Sequence, residues 1–423
     1  KIFRRSGIEA GGAGRRWEGA TTINNGAQST TAARLRAEKQ AAAQYVNNPL
    51  ANSAVEKWGS ALIGTGWNAR SRHPDPTTAH VLNNEFEEMI RPLLLPLARG
   101  LVRDGEAFVQ LIVLPTGNLK LKLITPDQID TNLTRDLGDG RRIIAGIELD
   151  DADEVLAYHV YRDAPGAVFA SYGAPVRVPE SDVLHIFDRL FPGQVRGLSW
   201  LSPVLLKLRD RDEASDALLM REKVAALMTG FIRDPDGTAA GFNGQANGSA
   251  LDVSLEPGAM RVLPQGADVV FSGAGGGLSQ SVEFLRAQDH EIAAGVGLTY
   301  EALTGDMSRT NYSSARVNLL EFRRRAEMLQ KVLIEGQFLR PLWHRWIDIQ
   351  ILAGDLPSAD QADLRKVRFV PPGWQWVDPQ KEVAADVAAI DAKLKSREEV
   401  VAARGRDIDE LDAEISKDKG ASA

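Results

Sequence analysis

The hydrophobic period of this chain changes twice, and the order of those changes limits its fold more than any other feature. Between Thr31 and Gly64, and again from Thr78 to Asp104, apolar residues recur at helical spacing. From Glu106 onward the pattern becomes short apolar runs bounded by turn residues: Glu106 to Leu114, Asn118 to Ile124, Ile143 to Leu149, Val155 to Tyr161 and Val183 to Phe187. Helical spacing returns after Ser202. Strands gathered between helices, rather than alternating with them, predict an α+β chain with a mostly antiparallel sheet.

Local signals refine this. Asn48 and Pro49 interrupt the first helix, and Pro92 and Pro96 are expected to bend or break the second. Ser202 as N-cap and Pro203 at the first helical position predict a helix to about Met228. Its stretch Lys207 to Glu213 is almost entirely charged, so one side must meet water. Asp234 to Ser249 reads as loop, and Met260–Leu263 with Asp268–Phe271 as a hairpin. A helix follows from Ser281 to Val296, then a polar segment from Thr299 to Ser313. The longest helical pattern runs from Ser314 to Leu352, with a kink expected at Pro341. Asp378 and Pro379 open a helix with Val383, Val387, Ile390 and Leu394 at helical spacing. Ser396 and Glu399 form a capping-box signature, and Ile408, Leu411 and Ile415 make a last short stripe. Residues 1–33 show neither period and read as an extended arm.

At 423 residues the chain is too long for one compact core. No charge-free apolar run is long enough for a transmembrane helix, so no membrane partner is expected. The amino end lacks a basic stretch followed by an apolar core, so no signal peptide is expected, and Lys1 in place of methionine implies residues upstream. The absence of cysteine excludes disulfides, thiolate zinc sites and cysteine nucleophiles. A formal net charge of −7 argues against a static grip on DNA, since such affinity comes from neutralising phosphates.

Several stretches begin like catalytic motifs and break off. His290-Glu291 opens like a zinc-protease helix, but Ala294 stands where the second histidine belongs. Gly273-Ala274-Gly275 lacks a third glycine at Leu278, and Leu201 replaces the last glycine of a nucleophile elbow begun by Gly197-Leu198-Ser199. Asp150, Asp151, Asp153 and Glu154 read as a solvated turn. No phosphate loop of the Gly-Lys-Ser/Thr type is present. The expectation is a protein that is not an enzyme and uses no cofactor or metal. What remains is Thr304-Gly305-Asp306-Met307-Ser308-Arg309-Thr310-Asn311-Tyr312, a polar loop backed by a helix carrying Arg316, Arg323, Arg324 and Arg325. Composition alone describes a surface loop; a loop anchored on two long helices also suits a channel constriction.

At these residues the chain resembles the lambda-type tailed-phage portal protein family. Thr304-Gly305-Asp306 followed by Asn311-Tyr312-Ser313-Ser314-Ala315-Arg316 is similar to the family's signature, continuing through Leu320-Glu321-Phe322-Arg323-Arg324-Arg325. Further blocks are Gly64-Thr65-Gly66, Asp104-Gly105-Glu106, Gly146 to Asp150 with Ala157-Tyr158-His159, Val183 to Phe187, and Pro192 to Gly197. The resemblance covers roughly Arg34 to Gly354.

It implies a portal fold and a homo-oligomeric, normally dodecameric ring at one capsid vertex of the virion, assembled in the host cytoplasm. On that pattern residues 34–198 and 314–377 form the wing, 199–228 and 281–298 the stem helices, and 229–280 the clip. Residues 299–313 become the tunnel loop and 378–423 the crown. Implied partners are double-stranded DNA, the terminase large subunit, a head–tail adaptor and the major capsid protein. Arg286, Arg309 and Arg316 would face DNA. The competing readings are a metal-dependent DNA-processing enzyme using Asp150 to Glu154, or a ring-forming connector with no DNA in its bore.

Overall fold

The computed structural model describes residues 23, 25–168, 173–227, 231–232, 261–262, 278–375 and 378–421. The chain opens with α1 (Gly26–Asn47), α2 (Pro49–Ile63), β1 (Asn68–Ser71) and α3 (Pro76–Arg103). Strands follow: β2 (Glu106–Val113), β3 (Leu119–Ile124), β4 (Arg135–Gly138), β5 (Arg141–Ile144), β6 (Ile147–Leu149), β7 (Val155–Val160), β8 (Val176–Pro179) and β9 (Val183–Phe187). Next come α4 (Leu205–Leu227), β10 (Phe231–Ile232), β11 (Arg261–Val262), α5 (Leu278–Val296), α6 (Tyr300–Thr304) and α7 (Tyr312–Leu329). The last elements are α8 (Arg340–Ala353), α9 (Gln361–Leu364), β12 (Val367–Val370), α10 (Pro379–Asp391), α11 (Arg397–Ala402) and α12 (Ile408–Ala421). Helices and mainly antiparallel sheets are segregated as expected. The elements fall into two units, one from the described parts of 1–40, 62–199 and 328–423, the other from those of 41–61 and 200–327.

In the first unit β2 is the middle strand of an antiparallel sheet ordered β3-β2-β9. Phe108, at 0% exposure, joins Ile124, Ile129, Ile147, Leu149, Tyr158, Val160 and Val183 in one core. That core links β2, β3 and β9 to a five-stranded meander, β4-β5-β6-β7-β8. Ile143 to Leu149, expected as one strand, is instead the hairpin β5–β6. Ala145 and Gly146 turn it with φ of 49° and 83°, the left-handed pair that a two-residue hairpin needs. The apolar run hid the turn.

Helix α3 runs through Pro92 and Pro96 without a break. Both prolines are exposed while Leu94, Leu97, Ala98, Leu101 and Val102 are buried, so the carbonyls they leave unbonded lie toward water and the buried face holds the helix. Pro341 acts differently. The expected long helix is seen as α7, a π-helical stretch Gln330–Leu339, and α8. The wide turns precede Pro341 and loosen the helix where its ring would meet the Gln337 carbonyl. Trp343, Trp346, Phe86 and Phe369 pack edge-on or tilted, with Trp343–Phe86 at 5.0 Å.

The helix starts expected at Asp378 and Ser396 are capped, and Asn48, expected only to interrupt the first helix, caps α2. Asn48 accepts from the amides of Leu50 and Ala51, Asp378 from Lys381 and Ser396 from Glu399. Leu394 falls beyond α10, which ends where Lys393 takes a φ of 58°. Helix α1 begins at Gly26, inside the expected arm, and residues 1–22 and 24 lie outside the described residues. Helix α4 begins at Leu205, after a tight turn through Ser202 and Pro203, so neither serves as its cap. Of the expected hairpin, only Arg261–Val262 is described, and it pairs in parallel with Phe231–Ile232. Asp268–Phe271, Asp234–Ser249 and Gly273-Ala274-Gly275 lie outside the described residues.

Beneath the β2 sheet sits a buried ion cluster that the sequence reading missed. The Glu106 carboxylate, wholly buried, accepts from Arg196 (Nη2 2.6 Å, Nε 3.0 Å), Arg34 Nη1 (2.9 Å) and the Gly197 amide (2.7 Å). His185 hydrogen-bonds it at 3.1 Å from between the rings of Phe108 and Phe187. Burial alone would push this carboxyl up, but Arg196 and Arg34 outweigh it and hold Glu106 well below the carboxylate range. Glu38 accepts from Arg34 at 2.5 Å, but burial, with Asp104 and Glu106 nearby, outweighs that arginine and pushes its carboxyl up to about 7. Between its ordinary value near 4.5 and 7 the folded chain therefore binds more protons than the unfolded one, and stability falls as pH rises. Glu38→Gln is expected to flatten that decline by about 2 kcal/mol in urea titrations from acid to neutral pH; an unchanged slope would exclude Glu38 as its source.

Candidate functional site

The segment from Thr299 to Ser313 stands between α5 and α7 in the second unit, on a base built around Trp58. Helix α2 buries this indole completely. Its Nε1 donates to the Val296 carbonyl at 2.8 Å, filling one of the acceptors left open at the end of α5. Trp200 meets its ring at 5.3 Å, Phe322 at 5.0 Å, and the Arg325 guanidinium lies over it at 5.7 Å. Val204 presses on Gly295, where a Cβ would meet it at 2.3 Å, so α4 and α5 approach closely. Arg211–Asp289 at 2.9 Å and Lys207–Glu291 at 2.7 Å tie the same two helices, giving the charged run of α4 its partners.

The loop is more ordered than its composition suggests. Thr299 caps the short helix α6 by accepting from the Ala302 amide, and Gly305 ends it with a φ of 75°. Ser53 Oγ donates to the Leu303 carbonyl at 2.7 Å. Asp306 then gathers donors: Arg286 Nη2 at 2.5 Å, Tyr300 Oη at 2.9 Å and the Ser308 amide at 2.9 Å. Hydrogen bonds from Ser308 and Tyr300, with Arg286 beside them, hold its carboxyl down to about 2. Arg309 makes a two-pronged pair with Glu283, and Thr310 Oγ1 donates to Glu301 at 2.7 Å. Asn311 accepts from the Ser314 amide as α7 begins at Tyr312. Met307 is 58% exposed at the tip.

The structure brings Arg286 to Asp306, Ser308 and Tyr300, with its guanidinium 5.2 Å from the Tyr300 ring. Arg316 sits apart, half-buried on α7. His290, half of the broken metal motif, stacks on Tyr300 at 4.1 Å. In the turn between β6 and β7, Asp150 Oδ1 accepts from the amides of Ala152 and Glu154, while Asp153 pairs with Arg142. Those carboxylates serve the turn. Among the described residues no group of three or more His, Asp or Glu side chains is placed to hold a metal ion, and no helix is long and apolar enough to cross a membrane.

With this geometry in view, comparison with known proteins decides the family. The model described as "Phage portal protein, lambda family" matches residues 13–330. The chain belongs to that family. Among curated portal relatives, the probable portal protein of Halomonas phage phiHAP-1 is 27% identical over 330 residues, covering 75% of this chain and 63% of the relative. Portal protein B of Escherichia phage lambda is 25% identical over 357 residues, 74% of this chain and 65% of its own length. The chain thus spans less than two thirds of these portal proteins. A solved structure titled as the neck of an empty gene transfer agent (GTA) particle, computed with C6 symmetry, aligns over 87% of this chain and 90% of its own at a TM-score of 0.46 and 14% identity. The portal match contains the whole Thr299–Ser313 loop, the Trp58 base and every residue of the Glu106 cluster.

Proposed function

We propose that copies of this chain close into a dodecameric ring at one capsid vertex and that double-stranded DNA passes through the ring during packaging and ejection. The family membership carries this reading, and the loop between α5 and α7 supports it. Residues 34–198 and 314–377 would form the wing, 199–228 and 281–298 the stem, 229–280 the clip and 378–423 the crown. Thr304 to Tyr312 would line the constriction. The clip would meet the terminase large subunit and later the head–tail adaptor, and the wing the major capsid protein. The work assigned to the chain is geometric, with no catalytic residue. A ring needs two different, complementary faces on each subunit. A formal charge of −7, repeated around the bore, favours sliding over gripping.

End-on electron-microscope class averages of the purified protein are expected to show an open annulus wide enough for a duplex. Replacing Thr304 to Asn311 with a short glycine linker should leave the rings intact and abolish DNA packaging or retention. A chain that stays monomeric under all assembly conditions, or unaltered packaging by the loop variant, would overturn the reading.

A further inference from the structure

The charged side chains joining loop and stem form two crossed pairs. The helix α5 contributes one anion and one cation, Glu283 and Arg286, a single turn apart. The loop contributes the complements, Arg309 to Glu283 and Asp306 to Arg286. Arg286 and Arg309, both of which would attract a phosphate, are thereby occupied by carboxylates of their own chain. The occupied positions are ones that a phosphodiester oxygen would take. Arg286 presents its guanidinium beside the Tyr300 hydroxyl and within 3.3 Å of Ser308 Oγ, with Asp306 oxygens filling the space between them. Carboxylate and phosphate engage arginine through the same charge-assisted geometry. Exposure makes the exchange feasible first at Arg309 and Glu283, which are 63% and 52% exposed and hold only weakly, whereas Arg286 and Asp306, at 15% and 35%, form the more covered pair that yields second.

We propose that Asp306 and Glu283 latch the loop onto α5, and that the phosphodiester backbone of duplex DNA displaces them from Arg286 and Arg309. This rests on the DNA-channel reading and adds a device to it. The loop touches DNA only by giving up its own ion pairs, and the two released carboxylates then repel the phosphates just bound. Each contact is therefore self-limiting, as a channel that must let DNA slide requires. The exchange moves no covalent bond and consumes no reactant. A loop with free arginines would instead hold the duplex in place.

The test uses the full chain, with Glu283→Gln to free Arg309 and Arg286→Gln to remove the other cation, both positions lying outside the loop. Amide hydrogen exchange at Ser308 and Thr310 reads the latch without DNA. Anisotropy of a fluorescein-labelled duplex of random sequence, at two salt concentrations, reads the phosphate exchange. Both variants are expected to speed exchange at the two amides. Glu283→Gln should bind the duplex about two- to fivefold more tightly than wild type, the span set by what an exposed ion pair is worth. Its salt dependence should steepen by about one phosphate contact, and Arg286→Gln should bind more weakly. Amide exchange unchanged in both variants would remove the latch. Faster amide exchange with unchanged duplex affinity in Glu283→Gln would leave the latch and remove its displacement by phosphate. The channel reading fails by a different route, through normal packaging by the loop-replaced ring, and would take the DNA half of the proposal with it.

Discussion

Arg196→Ala is expected to lower the unfolding free energy by about 3–5 kcal/mol, among the largest effects open to any single side chain here. The arginine is fully buried and holds Glu106 through three of its contacts, while Nη1 and Nη2 also donate to the carbonyls of Ala145 and Pro126 at 2.8 Å. Truncation leaves a buried carboxylate with less compensation, takes the arginine donor from the Ala145 carbonyl and leaves the Pro126 carbonyl only the Ile129 amide. Arg196→Lys should recover only part of the loss, because an ammonium cannot reach carboxylate and both carbonyls with one planar fork. The pH dependence gives a second signature. With its pKa depressed, Glu106 contributes stability that is present above the unfolded carboxylate value and lost as pH falls through the folded one. Removing Arg196 weakens the depression, so acid unfolding of the variant should begin at higher pH. Urea titrations across pH would check both points; a loss under about 1 kcal/mol would show that the cluster is not what holds β2, β9 and the Pro126 turn together.

The same cluster explains what several sequence blocks have in common. Asp104-Gly105-Glu106, Val183 to Phe187 and Pro192 to Gly197 stand apart in the sequence as separate blocks of the resemblance. In the fold they meet at one carboxylate. The glycines let them do so: a Cβ on Gly105, whose φ is +89°, would lie 2.0 Å from the Leu198 carbonyl carbon, and one on Gly197 would lie 2.2 Å from the Gly105 oxygen. Spacing could not reveal this, since Arg34 and Glu106 are 72 residues apart and nothing local marks them as partners. One signal was present. A histidine inside the apolar strand Val183–Phe187 must find a polar partner once the strand is buried.

What the sequence made legible was chemistry that acts within a turn or two. The helix starts at Asp378 and Ser396 are legible because an oxygen and the amide it satisfies lie within three residues. Whether Pro92 and Pro96 would break α3 was not legible, because their cost depends on which side of the helix faces water, a tertiary fact. The loop itself was found from its residues, yet its order was not. Thr299, Gly305 and Asn311 are local signals for α6 and for the start of α7, whereas Arg286–Asp306 and Arg309–Glu283 reach across from another helix.

Trp58→Ala tests whether that loop depends on its base. The indole is fully buried, and its loss is expected to cost about 3–5 kcal/mol through the cavity it leaves and the Val296 carbonyl it strands. The consequence should not be uniform. Trp58 touches the end of α5 and, through Phe322 and Arg325, the body of α7, the two helices from which the loop springs. Freed at both roots, Thr299 to Asn311 should exchange its amides faster under native conditions, at Ala302 and Ser308 first, while amides in β2 and β9 keep wild-type protection. Trp58→Phe should restore much of the packing but not the hydrogen bond, and so should recover stability more fully than it slows exchange at the end of α5. Equal acceleration across β2, β9 and the loop in Trp58→Ala would mean that the indole supports the chain as a whole, and that the loop's geometry is set by its own ion pairs instead.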